Sequence, residues 1–473
     1  MPAVRISNVL TFRKEENPSL DPRRIRKHFS YPNPKFLENI RLGHSNFATP
    51  RTINITSLTR DRLTLPRGTI ATLKKLLPDL RIEDETLTNA VDFAPSGIHL
   101  KPFQKPAVEK LLKRNQGVLV APPGSGKTIM AIELIVRRGQ KTLILVHTKD
   151  LSAQWLTRIS EWAGIKPGVI DASTFDVGEV TVGMIQTLSR PLERPFVEQF
   201  GCVVLDEAHH VPAETFQTLL NQFPARYRYG LTATPIRRDG LDFLLTGTLG
   251  PILYTIEKAD LIESGNLMRP KVRAVHTDLY LEDCKDYGTL IEAATESSGR
   301  NDLILRHLAL EAVDHLCLVL SERVRHVRLL HELFTERHPD IPAGFITGEV
   351  KGEERVTALD SLRRGEIRVL FATRIADEGL DVLALDRLFL TCPIRFAGKV
   401  EQQVGRILRV CEGKQQPVVY DFVDSLVGLA TSQWGTRKSR VYADVEIEEV
   451  KFEETAERGL GGPCHNERQA FSL

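Results

Sequence analysis

Short apolar runs separated by stretches of helical period dominate two long parts of this chain. Between about residues 96 and 255 the runs are Gly117 to Val120, Thr142 to Val146, Val180 to Ile185, Cys202 to Leu205 and Tyr229 to Thr232. Between about 310 and 425 they are Leu316 to Leu320, Gly344 to Thr347, Ile367 to Ala372, Arg387 to Thr391 and Val418 to Phe422. Near-continuous apolar runs belong to strands buried on both faces, and strands alternating with helices build parallel sheets. The pattern predicts an α/β chain with two tandem parallel-sheet domains.

The flanks read differently. Residues 1–95 are rich in proline and basic side chains, and the stretch LTLPRGTIATLKKLLPDLRIED predicts a strand, a proline-started helix and a second strand, a small α+β module. The expected division is therefore 1–95 as an N-terminal α+β module, 96–255 and 310–440 as the two sheet domains, 256–309 as a linker or inserted bridging element, and 441–473 as an acidic tail that opens with a short strand.

A chain of 473 residues with 42% hydrophobic content is long enough for about three domains with cores of their own. The formal charge of +2 hides an asymmetry, since residues 1–60 carry 11 Lys/Arg against 4 Asp/Glu and residues 441–473 carry 3 against 8. A basic front end can track nucleic-acid phosphates, although such stretches are also ordinary solvated surface. Cys202, Cys284, Cys317, Cys392, Cys411 and Cys464 show no C-x-x-C spacing, which points away from zinc sites and disulfide frameworks. With neither an 18-residue apolar run nor a signal-peptide core, the expectation is a cytoplasmic protein with no membrane partner.

The candidate chemistry begins at Ala121 to Thr128, APPGSGKT, between a strand and a helix. Gly124 and Gly126 let the backbone curl with its N–H groups inward, and the helix N-terminus adds positive potential, so phosphate binding is expected from Pro123, Gly124, Ser125, Gly126, Lys127 and Thr128. Lys127 is placed on the β and γ phosphates and Thr128 on Mg²⁺. Ala121 stands where the strict motif has its first glycine. A second motif, DEAH at Asp206 to His209, follows Lys127 by 79 residues and ends an apolar strand. There Asp206 is expected to hold Mg²⁺, and Glu207 to orient or deprotonate the attacking water. An ordinary glycine-rich turn and a solvated D-E pair are the bland alternatives, and the two motifs together disfavour both.

The second sheet domain lacks a phosphate loop but carries QQVGRILR, Gln402 to Arg409. On a continuous helix Gln402, Arg406 and Arg409 lie at i, i+4 and i+7 on one face. Arginines brought from a separate domain onto a γ-phosphate stabilise transition-state charge. A solvated basic face is the alternative.

APPGSGKT, DEAH, TAT at Thr232 to Thr234 and QQVGRILR occur in the order seen in superfamily 2 helicases, which residues 96–425 resemble. LKPFQ at Leu100 to Gln104, LVHTKDLSAQW at Leu145 to Trp155 and ATRIADEGLD at Ala372 to Asp381 make the XPB-like branch, with its phage UvsW-type members, the best match. Asn33-Pro34 and Leu65-Pro66-Arg67-Gly68 resemble the N-terminal DNA-binding module of such proteins, which implies that role for residues 1–95. The resemblance implies RecA-like sheet domains and ATP with Mg²⁺ as cofactors. It puts Gln104 on the adenine edge, Gly379 and Asp381 near ribose and phosphates, and His209, Thr232 and Thr234 in coupling hydrolysis to the nucleic-acid groove. His209 and His210 as metal ligands are disfavoured by their adjacency. Thr148, Gln186, Ser321, Thr347 and Thr373 match positions that hold nucleic-acid backbone, a sequence-independent contact; each could equally be a loop or capping residue.

The glutamine-led QQVGRILR departs from DEAD-box RNA helicases, and the absence of four cysteines between the two ATPase motifs departs from iron–sulfur helicases. The arginine-glutamate-aspartate tripeptide of eukaryotic XPB is not present as such. What results is an expected ATP-dependent DNA helicase or translocase moving 3′ to 5′ on single-stranded, forked or branched DNA, with RNA the less favoured substrate. A double-strand translocase or restriction-type motor subunit, a decayed non-catalytic clamp and an RNA-directed ATPase are the alternatives, and intact Lys127, Asp206, Glu207 and Arg409 argue against decay.

Overall fold

A computed structural model describes residues 1–207, 213–233, 240–350, 353–373, 382–394 and 396–451. The chain forms two compact units, Met1–Leu267 and Met268–Leu473.

In the first unit seven strands make an all-parallel sheet, ordered Gly168–Ile170, Val180–Met184, Thr142–Val146, Cys202–Leu205, Tyr227–Thr232, Gln116–Val120, Ile252–Thr255. Thr142–Val146, Val180–Met184 and Cys202–Leu205 are buried at every position, as strands covered by helices on both faces must be. Helix Lys127–Arg138 turns Met130, Ala131, Leu134 and Ile135 onto the sheet and stops at Gly139, whose φ of 60° admits the left-handed closing residue.

The N-terminal residues build a five-stranded sheet, ordered Ser57–Leu58, Arg62–Leu65, Leu10–Arg13, Ala3–Ile6, Arg81–Asp84, antiparallel except for its last pair. Its apolar face, with Val4, Leu10, Phe12, Leu63, Leu65 and Leu73, joins Val118, Leu143, Phe216, Leu244 and Leu249 in one continuous core. The fastening is specific at LPRG. The buried Arg67 guanidinium donates to the carbonyl oxygens of Ser7 (3.2 Å), Ala225 (2.6 Å) and Arg226 (2.6 Å) and to Gln116 Oε1 (2.7 Å). At Gly68 an added Cβ would lie 2.4 Å from Thr246 O, so backbone meets backbone there and only glycine fits. The 1–95 module is thus built into the first unit rather than attached to it.

The second unit repeats the architecture: Ala343–Ile346, Val369–Thr373, Cys317–Ser321, Arg387–Leu390, Val418–Val423, Lys271–His276, Glu446–Val450, all parallel. Two expectations change here. Residues 256–309 are not a linker: the division falls at Leu267, and Lys271–His276 is an internal strand of the second sheet. The helix Ser298–Ala312 belongs to the same core, through Leu303, Ile304, Leu305 and Leu308, and its Arg300 makes a fully buried ion pair with Asp424 (2.7 Å). The acidic C-terminal segment also has a structural role as far as Val450. Glu446 and Glu448 each lie 3.0 Å from Lys271 Nζ across the edge ladder, so the negative charge is matched strand to strand. Residues 452–473 lie outside the described residues. No described helix is long and apolar enough to cross a membrane.

Candidate active site at the carboxyl edge of the first parallel sheet

Strand order brings the first-unit motifs together. Tyr227–Thr232 runs between Gln116–Val120 and Cys202–Leu205, so the phosphate loop, Thr232 and Asp206 leave three adjacent strands at the same edge. Ala121 N donates to Thr232 O at 2.9 Å and carries the ladder into the loop. Ala121 is fully buried, which gives the residue replacing the first glycine a packing role.

Gly124 and Gly126 both take left-handed conformations, φ 83° and 81°, and the loop curls as its composition requires. Gln104 sits against this curl. Its Nε2 donates to Ser125 O at 2.8 Å, its Oε1 accepts from Lys101 N at 2.9 Å, and a Cβ added at Gly126 would come within 2.5 Å of Nε2. The structure therefore gives Gln104 a second task beside the expected adenine edge, that of bracing the loop. Ser125 Oγ is buried with no hydrogen-bond partner among the described residues, as fits a group awaiting a ligand oxygen.

Lys127 Nζ lies 3.1 Å from Ala121 O and 3.6 Å from Glu207 Oε1. Glu207 has φ 47°, rare for a residue with a Cβ, and such strain persists only where its surroundings impose it. Asp206 is buried; desolvation first, and the Glu207 charge second, push its carboxyl above the ordinary range, while Trp155 and Lys127 oppose the shift. Such a carboxylate calls for a cation. The Thr128 hydroxyl and the Asp206 carboxylate are the hard oxygen donors that would hold Mg²⁺ here, with the unpartnered Ser125 hydroxyl beside them.

Two residues escaped the sequence reading of this site. On helix Lys149–Ala163, Trp155 Nε1 donates to Asp206 Oδ2 (2.7 Å), and Arg158 donates from a terminal guanidinium nitrogen to Thr128 Oγ1 (3.3 Å). Burial lowers the pKa of Arg158 against the opposing pull of Asp206 and Glu161. Spaced i, i+3, they share a helix face and reach both expected metal ligands. The only signal was Trp155 and Arg158 at that spacing in an otherwise amphipathic helix.

Among the nucleic-acid candidates, Thr148 caps this helix, its Oγ1 accepting from Leu151 N (3.3 Å), and the exposed Gln186 donates to His147 O (2.8 Å). Ser321, Thr347 and Thr373 sit at the carboxyl ends of three neighbouring strands of the second sheet. All three are buried. Ser321 Oγ lies 2.8 Å from His326 Nδ1, and His326 Nε2 lies 2.9 Å from Asn301 Oδ1. Burial lowers the His326 pKa to about 3, with Arg300 adding to the shift. Thr347 Oγ1 accepts from Glu349 N (3.3 Å), and Thr373 Oγ1 has no hydrogen-bond partner among the described residues.

Gln402 and Arg406 lie on helix Ala397–Ile407, which ends before Arg409. The expected single helical face therefore holds Gln402 and Arg406 alone. His209, Thr234, Gly379 and Asp381 lie outside the described residues.

A glycine-curled loop with its lysine and a pair of acids, on strand ends that flank Tyr227–Thr232, in a chain that carries a second sheet of the same kind, fit an ATPase built of two RecA-like domains, and the family matches make it an ATP-dependent helicase. Residues 97–237 match the family described as type III restriction enzyme, res subunit, and residues 299–411 match the helicase conserved C-terminal domain. The chain is 27% identical over 371 residues to DNA 3′-5′ translocase XPB2 of Sulfurisphaera tokodaii, covering 70% of this chain and 84% of that protein. It is 28% identical to probable helicase D10 of Escherichia phage T5, covering 65% and 67%. A fragment of a putative HsdR subunit of a type I restriction enzyme from Vibrio vulnificus shares the fold with a TM-score of 0.57, 18% identity and coverage of 76% and 69%. The chain belongs to the superfamily 2 helicases, in their XPB-like branch.

Proposed function

We propose that this helicase acts on DNA, moving 3′ to 5′ along one strand and remodelling forked or branched substrates as it hydrolyses ATP. The observation that carries the reading is the contiguous Lys127, Asp206, Glu207 and Thr232 arrangement in a chain with a relative that bears the name DNA 3′-5′ translocase. Lys127 binds the β and γ phosphates, the loop N–H groups cradle them, and Glu207 orients the attacking water and takes its proton. Thr128 and Asp206 would hold Mg²⁺, which when bound would supply charge neutralisation at the phosphates. Trp155 and Arg158 keep the two ligating side chains in place. Arg406 and Arg409 stabilise transition-state charge, with Gln402 beside Arg406, and Gly379 and Asp381 take the ribose and phosphates. His209, Thr232 and Thr234 couple hydrolysis to grip on the strand. Thr148, Gln186, Ser321, Thr347 and Thr373 order the loops that hold DNA backbone, as the capping and buried positions described above support.

ATP turnover with no nucleic acid, single-stranded DNA, forked DNA, duplex DNA and RNA, paired with a strand-separation readout, tests this. Stimulation by single-stranded and forked DNA is expected; preference for RNA overturns the substrate. The match of residues 97–237 to a restriction-enzyme motor favours one second reading, a duplex translocase, which predicts stimulation by blunt duplex without strand separation.

A further inference from the structure

Between strands Leu10–Arg13 and Arg62–Leu65 the chain makes an excursion that neither large sheet requires. It comprises helix Pro22–His28, the short ladder of Ser30–Pro32 with Thr52–Asn54, and helix Pro34–Leu42 with its return loop. Among the described residues, three large apolar side chains point to solvent on it: Leu37 and Ile40, one helical turn apart, and Phe47, whose relative exposure is 102%. Leaving such a ring in water forgoes roughly 1.5–3 kcal/mol that burial would supply.

The ring is held out by an ordered loop. Gly43, φ 69°, closes the helix, and His44 N donates to Asn39 O (2.8 Å). Asn39 Nδ2 donates to Asn46 Oδ1 (2.9 Å), Asn46 Nδ2 donates to Phe36 O (3.2 Å), and Asn33 Nδ2 ties the far end at Pro50 O (2.8 Å). Phe47 follows Asn46 directly and is presented on a fixed backbone.

Its setting is strongly basic. Residues 22–51 carry seven Lys/Arg against one acid, Glu38, and most of these cations, Lys35 and Arg41 on the same helix included, are exposed. An aromatic face among cations fits unpaired nucleobases, which stack on the ring while their phosphates meet the charges. The excursion is also fixed to the motor. Tyr31 stacks on Phe243 with centroids 4.2 Å apart, and Pro34 closes on Gly240, where an added Cβ would come within 3.0 Å. Gly240 and Phe243 follow closely on Thr232 at the end of the site's central strand.

We propose that Phe47, with Leu37 and Ile40, forms a base-stacking wedge that receives unpaired nucleobases where single-stranded DNA meets duplex. The proposal rests on the helicase reading and locates its strand-separating element. Full-length Phe47→Ala and Phe47→Trp test it, since a side chain this exposed can be replaced without disturbing packing. Phe47→Ala is expected to weaken binding of a single-stranded oligonucleotide roughly tenfold, in line with the loss of one stacked base, and to abolish separation of a forked duplex while ATP turnover at saturating DNA persists. Phe47→Trp is expected to keep unwinding, with emission above the wild-type background that changes on adding the oligonucleotide. Unwinding by Phe47→Ala at the wild-type rate, or Phe47→Trp emission that ignores DNA, overturns the proposal. So does emission that answers only to anionic phospholipid vesicles, or a Phe47→Ala variant altered only in its self-association. Wild-type turnover indifferent to every nucleic acid would sink the helicase reading instead, and the Phe47→Trp titration would still report on the wedge.

Discussion

Replacing Arg67 by leucine should cost the first unit several kcal/mol of stability although its hydrogen-bond partners among the described residues, Ser7, Gln116, Ala225 and Arg226, lie outside the candidate ATP site. Its guanidinium serves three backbone carbonyls, Ser7, Ala225 and Arg226, and Gln116 Oε1. An acceptor left buried and unpaired costs about 1–3 kcal/mol. The two 2.6 Å bonds, to Ala225 and Arg226, set the larger share, and the longer Ser7 contact and the rotatable Gln116 amide a smaller one. Two offsets apply: a leucine side chain buries without charge, and removing the guanidinium relieves repulsion with the neighbouring buried Arg228. The net expectation is about 3–5 kcal/mol, a large part of the stability of an ordinary domain. By the usual proportion for a unit of this size that lowers the unfolding midpoint by roughly 10 °C. Tryptophan emission during urea and thermal unfolding measures it, since Trp155 and Trp162 lie in this unit and Trp434 in the other. Arg60→Leu, on the exposed surface, is the control. An Arg67→Leu transition within about 1 kcal/mol of wild type would refute the view that the N-terminal module is part of the motor's core. On the same reasoning, a fragment starting at residue 96 exposes Val118, Leu244 and Leu249 and should aggregate instead of merely losing DNA affinity.

Three further outcomes follow from single sites. Lys127→Ala should retain the fold and lose ATP turnover, and near-wild-type turnover would remove the phosphate loop from the mechanism. Trp155→Phe keeps the packing but strips Asp206 Oδ2 of its donor, so the turnover rate should fall by a factor on the order of ten or more with far-ultraviolet circular dichroism unchanged; turnover within twofold of wild type would leave Trp155 a packing residue. His326 has a folded-state pKa depressed from 6.5 to about 3 by burial. A depressed histidine contributes stability that is complete above its unfolded value and fades as pH falls below about 6.5 toward 3. The full term is about 5 kcal/mol or less. Urea midpoints of the second unit should therefore drop through that window, and His326→Gln should flatten the slope; parallel curves for the two proteins would show that other groups govern acid unfolding.

Much of this was written locally in the chain. Strands buried on both faces have to be apolar throughout, so Thr142–Val146 and Cys202–Leu205 were visible as runs, and a loop that must curl around phosphate needs Gly124 and Gly126. Lys271–His276 escaped because it neighbours the edge strand: its arginine, lysine and histidine turn toward Glu446, Glu448 and Glu449, which leaves an alternation too polar to read as an internal strand. Arg409 was expected on the helix that carries Arg406, but the helix stops at Ile407.

By itself, then, the sequence determined the two parallel sheets, the glycine-curled loop and the acids at the end of Cys202–Leu205, because each depends on residue type over a few consecutive positions. Tertiary structure alone decided that strand order sets Asp206 and the loop on either side of Thr232, that Trp155 and Arg158 reach the side chains of Asp206 and Thr128, and that Arg67 and Gly68 weld the first 95 residues to the motor. These depend on which distant segments meet, and neither periodicity nor composition encodes that meeting. Phe47 shows the same division: its ring is one apolar letter in a basic stretch, and only the fold turns it outward.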